Sequence, residues 1–252
     1  CMGEQAVNRE IRGEQIRAFE KHLLKDIRAL EKMLNSDVFE KDVRRIGAEQ
    51  ELFIIDRDCQ PAPLAMDLLK RLNDPSFTTE IGRFNLEFNL DPILLHELCF
   101  SELKTDIEKH LSKVRKAASA FKADILLVGI LPTLRKSHLT MDNMSPKPRY
   151  YALNDAMNRL RGGDYELYIR GTDEMFIKHD TVMLEACNTS FQFHLQVHPD
   201  EFAKLYNIAQ LISAPVLAAA ANSPLLFGKR LWRETRIAVF QQAVDTRRLP
   251  PH

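Results

Sequence analysis

The sequence predicts an α+β domain in which an antiparallel sheet presents one polar face and carries helices on its other face. Three segments alternate apolar and polar residues with the period of two that is typical of half-solvated strands: 45–56, 81–90 and 188–198. Around them, apolar residues recur at three- and four-residue spacing, which is typical of amphipathic helices. Strands with one polar face, combined with separate helices, favour the α+β class.

The composition is that of an ordinary globular protein. The chain has 252 residues, of which 45% are hydrophobic and 28% charged, enough to bury a core without metal or disulfide staples. The 35 basic residues balance 35 acidic ones, which argues against nucleic-acid or anionic-membrane binding. The longest apolar run, 214–221, is too short to span a bilayer. The four cysteines form no CxxC pair and the first residues are charged, so we expect a cytoplasmic location.

Two segments are predicted: an N-terminal amphipathic helical unit over 1–44 and the main domain over 45–252. Within the first, residues 14–34 show helical spacing of apolar side chains, namely Ile16, Phe19, Leu23, Ile27, Leu30 and Leu34. We expect this helix to pack as a brace. A homodimer interface is the alternative for the same apolar stripe.

The predicted strands concentrate acids and amides on their polar faces. Strand 45–56 places Glu49 and Glu51 on one side, about 7 Å apart, because alternate residues of a strand share a face. Strand 81–90 places Glu87 on its polar side and is expected to end at Asp91-Pro92. Strand 188–198 adds amides and imidazoles: Asn188, Gln192, His194, Gln196 and His198.

The remaining elements follow from helical spacing, apolar runs and breakers. Residues 96–122 predict a helix, 124–131 a short buried strand and 132–149 an irregular loop. A helix over 151–161 is expected to stop at Gly162-Gly163, and another begins at Pro199 and ends near Ala221. The chain then becomes basic and partly helical, up to Arg247 and Arg248.

Several carboxylates on one sheet face repel one another unless a positive charge lies among them. A divalent cation is the simplest such charge, because Mg²⁺ prefers oxygen ligands and amide or imidazole neighbours also suit Mn²⁺. A solvated sheet face, or structural ion pairs, could produce the same pattern. Metal binding and a solvated face are therefore both open from spacing alone.

Four motifs, in order, resemble the glutamate–cysteine ligases, which belong to the glutamine-synthetase-like carboxylate–amine ligases. The first is the G-x-E-x-E pattern at 47–51, and the second is the acidic pair Glu80 and Glu87 in TEIGRFNLEFN. The third is the alternating strand TSFQFHL at 189–195. The fourth is the ANSP…G…R segment, which begins at Ala221 and includes Arg236.

The resemblance implies an antiparallel sheet, related to that of guanidino kinases, whose concave polar face binds Mg²⁺ (or Mn²⁺) and ATP. It implies that six residues ligate the metal: Glu49, Glu51, Glu80, Glu87, Gln192 and His194. It implies that Arg236 is catalytic and grips the substrate carboxylate or the transferring phosphoryl group. Arg149, from an Arg-Tyr pair at 149–150, and Lys229 are implied substrate-binding residues.

The sequence departs from the family pattern in two ways. Glu80 has the opposite strand parity to Glu87, so a bulge near Gly82 is needed to bring both to one site. Family members are usually longer and carry a late strand with another glutamate and arginine. No such strand is recognised here, so we expect a catalytic domain that is incomplete at its C-terminus.

The interpretation is an ATP-dependent ligase that joins a glutamate-like carboxylate to an amine such as cysteine through an acyl phosphate. The alternatives are a non-catalytic metal-, nucleotide- or amino-acid-binding regulatory module on the same fold, a guanidino-kinase-like phosphotransferase, and an interaction protein with solvated strand faces. Metal affinity, ADP release and amide formation distinguish them.

Overall fold

The structure is a computed structural model that describes residues 13–162 and 165–244. Gly163, Arg247 and Arg248, which the sequence analysis singled out, lie outside these residues. The described elements in chain order are α1 (Gly13–Leu34), β1 (Arg45–Ile55), α2 (Ala65–Leu72), β2 (Phe77–Thr79), β3 (Asn85–Leu94), α3 (Cys99–Ser119), β4 (Asp124–Leu126), α4 (Pro148–Arg161), β5 (Tyr165–Arg170), β6 (Glu174–His179), β7 (Phe191–Leu195), α5 (Pro199–Ala220), β8 (Leu225–Leu226), β9 (Lys229–Arg230) and α6 (Arg236–Val244).

The main sheet is antiparallel and has β1 at its centre. Its order is β2-β3-β1-β4, and β7 also pairs with β1. One edge of β1 is shared: residues 53–55 pair with β4, whereas residues 46–50 pair with β7. Glu51 lies at the fork between these two partners. The predicted α+β class with an antiparallel sheet is confirmed.

Two apolar cores lie on opposite sides of this sheet. On one face, Leu52, Leu86 and Phe88 are fully buried in a cluster that includes residues of α2 and α3. On the other face, Phe53 stacks against Phe84 with ring centroids 6.3 Å apart, within a second cluster. Along the face of β1 that was predicted to be polar, Glu49 and Glu51 are followed by Phe53 and Ile55, which belong to the second core.

Strand β3 differs from the predicted strand at both ends. It begins at Asn85 because residues 82–85 form a turn, in which the Asn85 N–H donates to the Gly82 carbonyl at 3.0 Å. It also continues past Asp91-Pro92 to Leu94, since the β1–β3 register shifts between Ile46 and Ala48. Such an irregularity accommodates a proline that a regular ladder would exclude.

The predicted strand over 124–131 is wrong beyond Leu126, where the backbone leaves the sheet. Helix α2 and the β5–β6 hairpin were not predicted. The hairpin pairs Tyr168 with Phe176, both more than 45% exposed, so its apolar residues do not all lie on a buried face. The left-handed conformation of Gly162 ends α4 as predicted, with φ at 68°.

Helices α1 and α5 have no buried residues within the described chain. The helix predicted over 14–34 is confirmed, but the expected packing of its apolar stripe is not seen. Helix α5 is long and apolar enough, by length and composition only, to cross a membrane. One such helix is weak evidence for a membrane span, and the predicted absence of membrane binding stays a prediction.

Candidate active site

Three carboxylates meet on the polar face of the main sheet. Oxygen atoms of Glu51, Glu80 and Glu87 all lie within 4.8 Å of one another. Glu51 and Glu87 are direct partners in the β1–β3 register. Glu80 reaches them from the segment that precedes β3. Because a turn separates Glu80 from β3, its opposite strand parity does not keep it away from Glu87.

The turn is tightly packed at Gly82. A Cβ atom at this position would lie 2.4 Å from the Asn85 Oδ1 atom and 3.0 Å from the Ala186 Cβ atom. Residue 82 therefore has no room for a side chain, which explains a glycine between Glu80 and Glu87.

The acidic residues have different hydrogen-bond partners. Glu51 accepts hydrogen bonds from the Ser190 backbone N–H at 2.8 Å, the Ser190 hydroxyl at 3.1 Å and the Gln192 amide at 3.3 Å. Glu87 accepts one from the Asn89 amide at 2.9 Å. These donors orient the carboxylates but supply no full positive charge.

Burial and mutual repulsion oppose ionisation of the cluster. Burial raises the pKa of Glu51, with the charge of Glu87 adding and the Ser190 hydrogen bonds opposing. Burial raises the pKa of Glu80 well above its ordinary value, and the charges of Glu51 and Glu87 raise it further. A bound cation would relieve both effects.

The donor set fits a hard divalent cation. Mg²⁺ binds carboxylate oxygens at about 2.1 Å, so opposite ligands of one ion lie about 4.2 Å apart. The oxygens of Glu51, Glu80 and Glu87, within 4.8 Å of one another, come close to this spacing. The three carboxylates therefore lie close enough to one another to hold one metal ion.

The cluster borders a cavity of about 930 Å³ beneath the fork of β1. Its apolar wall comes from β7, α5 and α6, with contributions from Phe191, Val216, Leu217, Ile237 and Phe240. Its polar part contains Glu51, Glu80 and Arg236. Among the described residues that line it, Arg236 alone carries a full positive charge.

Arg236 is held at the first position of α6 by two partners. Its Nε atom donates to Glu234, and its Nη1 atom donates to the Thr189 carbonyl at 2.6 Å. Burial raises the pKa of Glu234, but Arg236, the Asn222 N–H and the Ser223 hydroxyl together outweigh it and hold that pKa below its ordinary value. The guanidinium is thus fixed at the cavity wall.

Two of the residues predicted as metal ligands lie apart from the cluster. His194 and Glu49 face each other, with Nε2 and Oε1 separated by 3.7 Å. They share the polar face with Glu51 but are not in the three-carboxylate group. Gln192 touches the group through its hydrogen bond to Glu51.

The residues predicted to bind substrate are not brought to the cavity lining. The Arg149 guanidinium lies 5.3 Å from the ring centroid of Tyr150. Tyr150 donates to the Thr79 carbonyl at 2.7 Å, and burial, with the charge of Glu80 adding, raises its pKa to about 12. Lys229 is exposed on the β8–β9 hairpin.

The structure adds residues that the sequence analysis missed. Glu185 lines the cavity, and burial raises its pKa to about 7. It lies in the short 3₁₀ turn Val182–Cys187, where it is the one charged residue among apolar neighbours. A lone carboxylate in a buried apolar run is a signal that could have identified it. Glu234 and Asn222 also line the cavity.

Fold and site together define an α+β protein with a cation-competent acidic cleft. The family model described as glutamate-cysteine ligase family 2 (GCS2) matches residues 45–252. The chain therefore belongs to this family, as its motifs indicated. The family suggests ATP-dependent carboxylate–amine ligase activity in general. Comparison with curated proteins gave no match.

Proposed function

We propose that this chain is a glutamate–cysteine ligase-like enzyme that forms an amide from a glutamate-like carboxylate and an amine at the expense of ATP. The observation that carries the proposal is the convergence of Glu51, Glu80 and Glu87 beside a cavity that contains Arg236. Residues 45–252 would form the catalytic domain, on a glutamine-synthetase-like sheet. The described cysteines are free thiols, which suits a cytoplasmic setting.

Glu51, Glu80 and Glu87 would hold Mg²⁺ or Mn²⁺, with the Gln192 amide at the edge of the site. The cation would supply positive charge to the phosphates of ATP and to the charge that develops during phosphoryl transfer. The chain would also hold two of these carboxylates in place, through the hydrogen bonds from Ser190 to Glu51 and from Asn89 to Glu87.

The reaction has two steps. The substrate carboxylate attacks the γ-phosphorus of ATP, which gives an acyl phosphate and ADP; the amine then displaces phosphate and forms the amide. Arg236 would grip the substrate carboxylate or the transferring phosphoryl group, because Glu234 and Thr189 fix its guanidinium at the cavity wall. No side chain needs to act as a nucleophile.

The cavity has the size and polarity for such substrates. Its volume of about 930 Å³ suits a nucleotide together with small substrates. The apolar wall that includes Phe191 and Phe240 suits a nucleobase, while the acidic cluster lies at the polar part. Arg149 and Lys229, which lie away from this lining, are not assigned a role in substrate binding.

ADP release with Mg²⁺-ATP and glutamate, measured with a panel of amines that includes cysteine, tests the proposal. We expect release that depends on the amine, that yields an amide, and that Glu51→Gln abolishes. Glu108→Gln is the matched control, because Glu108 is exposed on α3, outside the cavity lining, and pairs with Lys104.

Two outcomes would contradict the proposal in different ways. Binding of metal and nucleotide without ADP release would favour the regulatory module. A stable phosphorylated product without an amide would favour a kinase-like phosphotransferase.

A further inference from the structure

Three polar side chains in the cavity have buried atoms without hydrogen-bond partners among the described residues. They are the Oδ1 and Nδ2 atoms of Asn85, the Oε1 atom of Glu185, and both amide atoms of Asn188. Five of the six such atoms in the described part of the chain belong to these three residues. Buried polar groups nearly always have partners, so a concentration in one cavity indicates a ligand contact.

The three side chains come from two elements that touch. Asn85 is the first residue of β3 and is only 1% exposed. A Cβ atom at Gly82 would approach both the Asn85 Oδ1 atom and the Ala186 Cβ atom, which places Asn85 beside the turn that contains Glu185. The Asn188 N–H donates to the Glu185 carbonyl at 2.9 Å, so both residues project from one turn.

The acceptors in this group match a specific chemical partner. Glu185 offers a carboxylate oxygen, and Asn85 and Asn188 each offer an amide oxygen. A primary ammonium group has one positive charge and three N–H donors. It would satisfy the three acceptors, although not the amide nitrogens of Asn85 and Asn188, which are donors themselves. It would also bring a full positive charge to the buried Glu185 carboxylate, whose pKa the neutral Asn188 amide lowers only in part against burial.

We propose that Asn85, Glu185 and Asn188 form a subsite for the primary ammonium group of an amino-acid substrate. The subsite deepens the proposed function and rests on it, because it lies in the same cavity as Arg236 and the acidic cluster. The ammonium belongs either to the amino acid that donates the carboxylate or to the amine acceptor. Both molecules carry a primary ammonium group.

Calorimetric titration of the chain, with Mg²⁺ and a non-hydrolysable ATP analogue present, distinguishes the two sources. The ligands are L-glutamate against glutarate, and L-cysteine against 3-mercaptopropionate, each pair differing in the ammonium group. We expect one amino acid to bind at least about tenfold more tightly than its partner lacking nitrogen, a difference of about 1.4 kcal/mol. The pair that shows the preference identifies the source.

In Glu185→Gln the ratio of the two dissociation constants, analogue over amino acid, should fall close to one. The affinity for the analogue without nitrogen should change less than about twofold. Asn188→Ala should also lower this ratio. It tests the subsite independently if Glu185→Gln does not fold. Glu166→Gln, at an exposed position of β5, is the matched control and should keep the preference.

Unchanged preference in both cavity variants would overturn the subsite, as would a wild-type chain that prefers neither amino acid. A loss of bound Mn²⁺ in Glu185→Gln would also overturn it, because Glu185 would then ligate metal. Failure of the ligase proposal is distinguishable: ammonium preference would persist in a chain that releases no ADP.

Discussion

Glu51 and Glu87 are direct Cα partners across the β1–β3 ladder, two carboxylates on the same face of one sheet. Like charges placed opposite each other destabilise an antiparallel pair. Glu80 adds a third carboxylate within 4.8 Å. The sheet is therefore stabilised by anything that brings positive charge to this position.

The first prediction concerns thermal stability with and without a divalent cation. Adding Mn²⁺ or Mg²⁺ should raise the melting temperature of the wild-type chain, because a cation at about a hundredfold above its Kd contributes about 2.7 kcal/mol. Glu51→Gln should lose this increase, yet melt no lower than wild type in EDTA, since one repelling charge is removed. Thermal melts in both buffers measure the two effects.

Glu49→Gln provides the matched comparison. Glu49 lies on the same strand and face as Glu51, but outside the three-carboxylate group. The variant should keep most of the cation response. Equal loss in both variants would show that the ion is shared more widely, as the sequence resemblance implied.

The second prediction concerns pH. Burial raises the pKa of Glu185 from 4.5 to about 7, so the folded chain binds more protons than the unfolded chain between these values. Stability from this residue is therefore present at low pH and lost as pH rises through that window, by up to about 3 kcal/mol. Glu51 and Glu80 act in the same direction.

Urea unfolding of wild type and Glu185→Gln in EDTA, at several values between about pH 5 and pH 8, measures this effect. Burial lowers the pKa of His138 and His179, which opposes it in both proteins, so the difference between the two curves is the relevant quantity. The variant should gain stability relative to wild type as pH rises. Parallel curves would show that Glu185 does not titrate in this window.

The third prediction concerns Gly129, which lies against Arg236. A Cβ atom at Gly129 would lie 2.5 Å from the Asn222 Oδ1 atom and 2.6 Å from the Arg236 Nε atom. Gly129→Ala should displace the guanidinium, destabilise the fold by about 1–3 kcal/mol and lower ADP release by more than about tenfold.

Gly47→Ala is the control for Gly129→Ala, because the nearest described atom outside its chain neighbours, the His194 Cβ atom, lies 3.9 Å from the added Cβ atom. This variant should keep near wild-type ADP release and melting temperature. If the two variants are equally active, Arg236 tolerates displacement and its assigned role is wrong.

The fourth prediction separates the charge of Arg236 from its shape. Lysine keeps the positive charge but lacks the fork that contacts Glu234 and Thr189 together. Arg236→Lys should lower kcat by about tenfold to a hundredfold. Arg230→Lys changes an exposed arginine on β9 that pairs with Asp173, and it should leave kcat unchanged.

Local patterns predicted much of the fold because they depend on neighbouring residues. Alternation placed Glu49 and Glu51 on one face of β1, and helical spacing located α1, α3 and α5. The convergence of Glu80 with this face depends on the turn at Gly82, whose shape is set by contact with Ala186 far along the chain. Strand periodicity alone cannot supply such a contact.

The same distinction explains why one residue of the cavity was missed and why another predicted residue lies outside the cavity lining. Glu185 lies in a short turn without strand or helix periodicity, so no face could be assigned to it. Lys229 lies within the motif that ends at Arg236, but it follows a hairpin turn at Phe227 and Gly228, both with positive φ, and is not among the residues that line the cavity. Order along the chain did not determine position in space.

At Glu51, where β1 changes from one partner strand to another, two segments outside the strand ladders lie beside the cavity. Segments 127–129 and 188–190 border the cavity and are joined by Thr189, which donates to the carbonyls of Val128 and Gly129. Neither segment takes part in the strand ladders of β1 beyond the contact at Ser190. Changes in length or sequence there could retune substrate preference while the slowest-exchanging amides of β1 keep their protection.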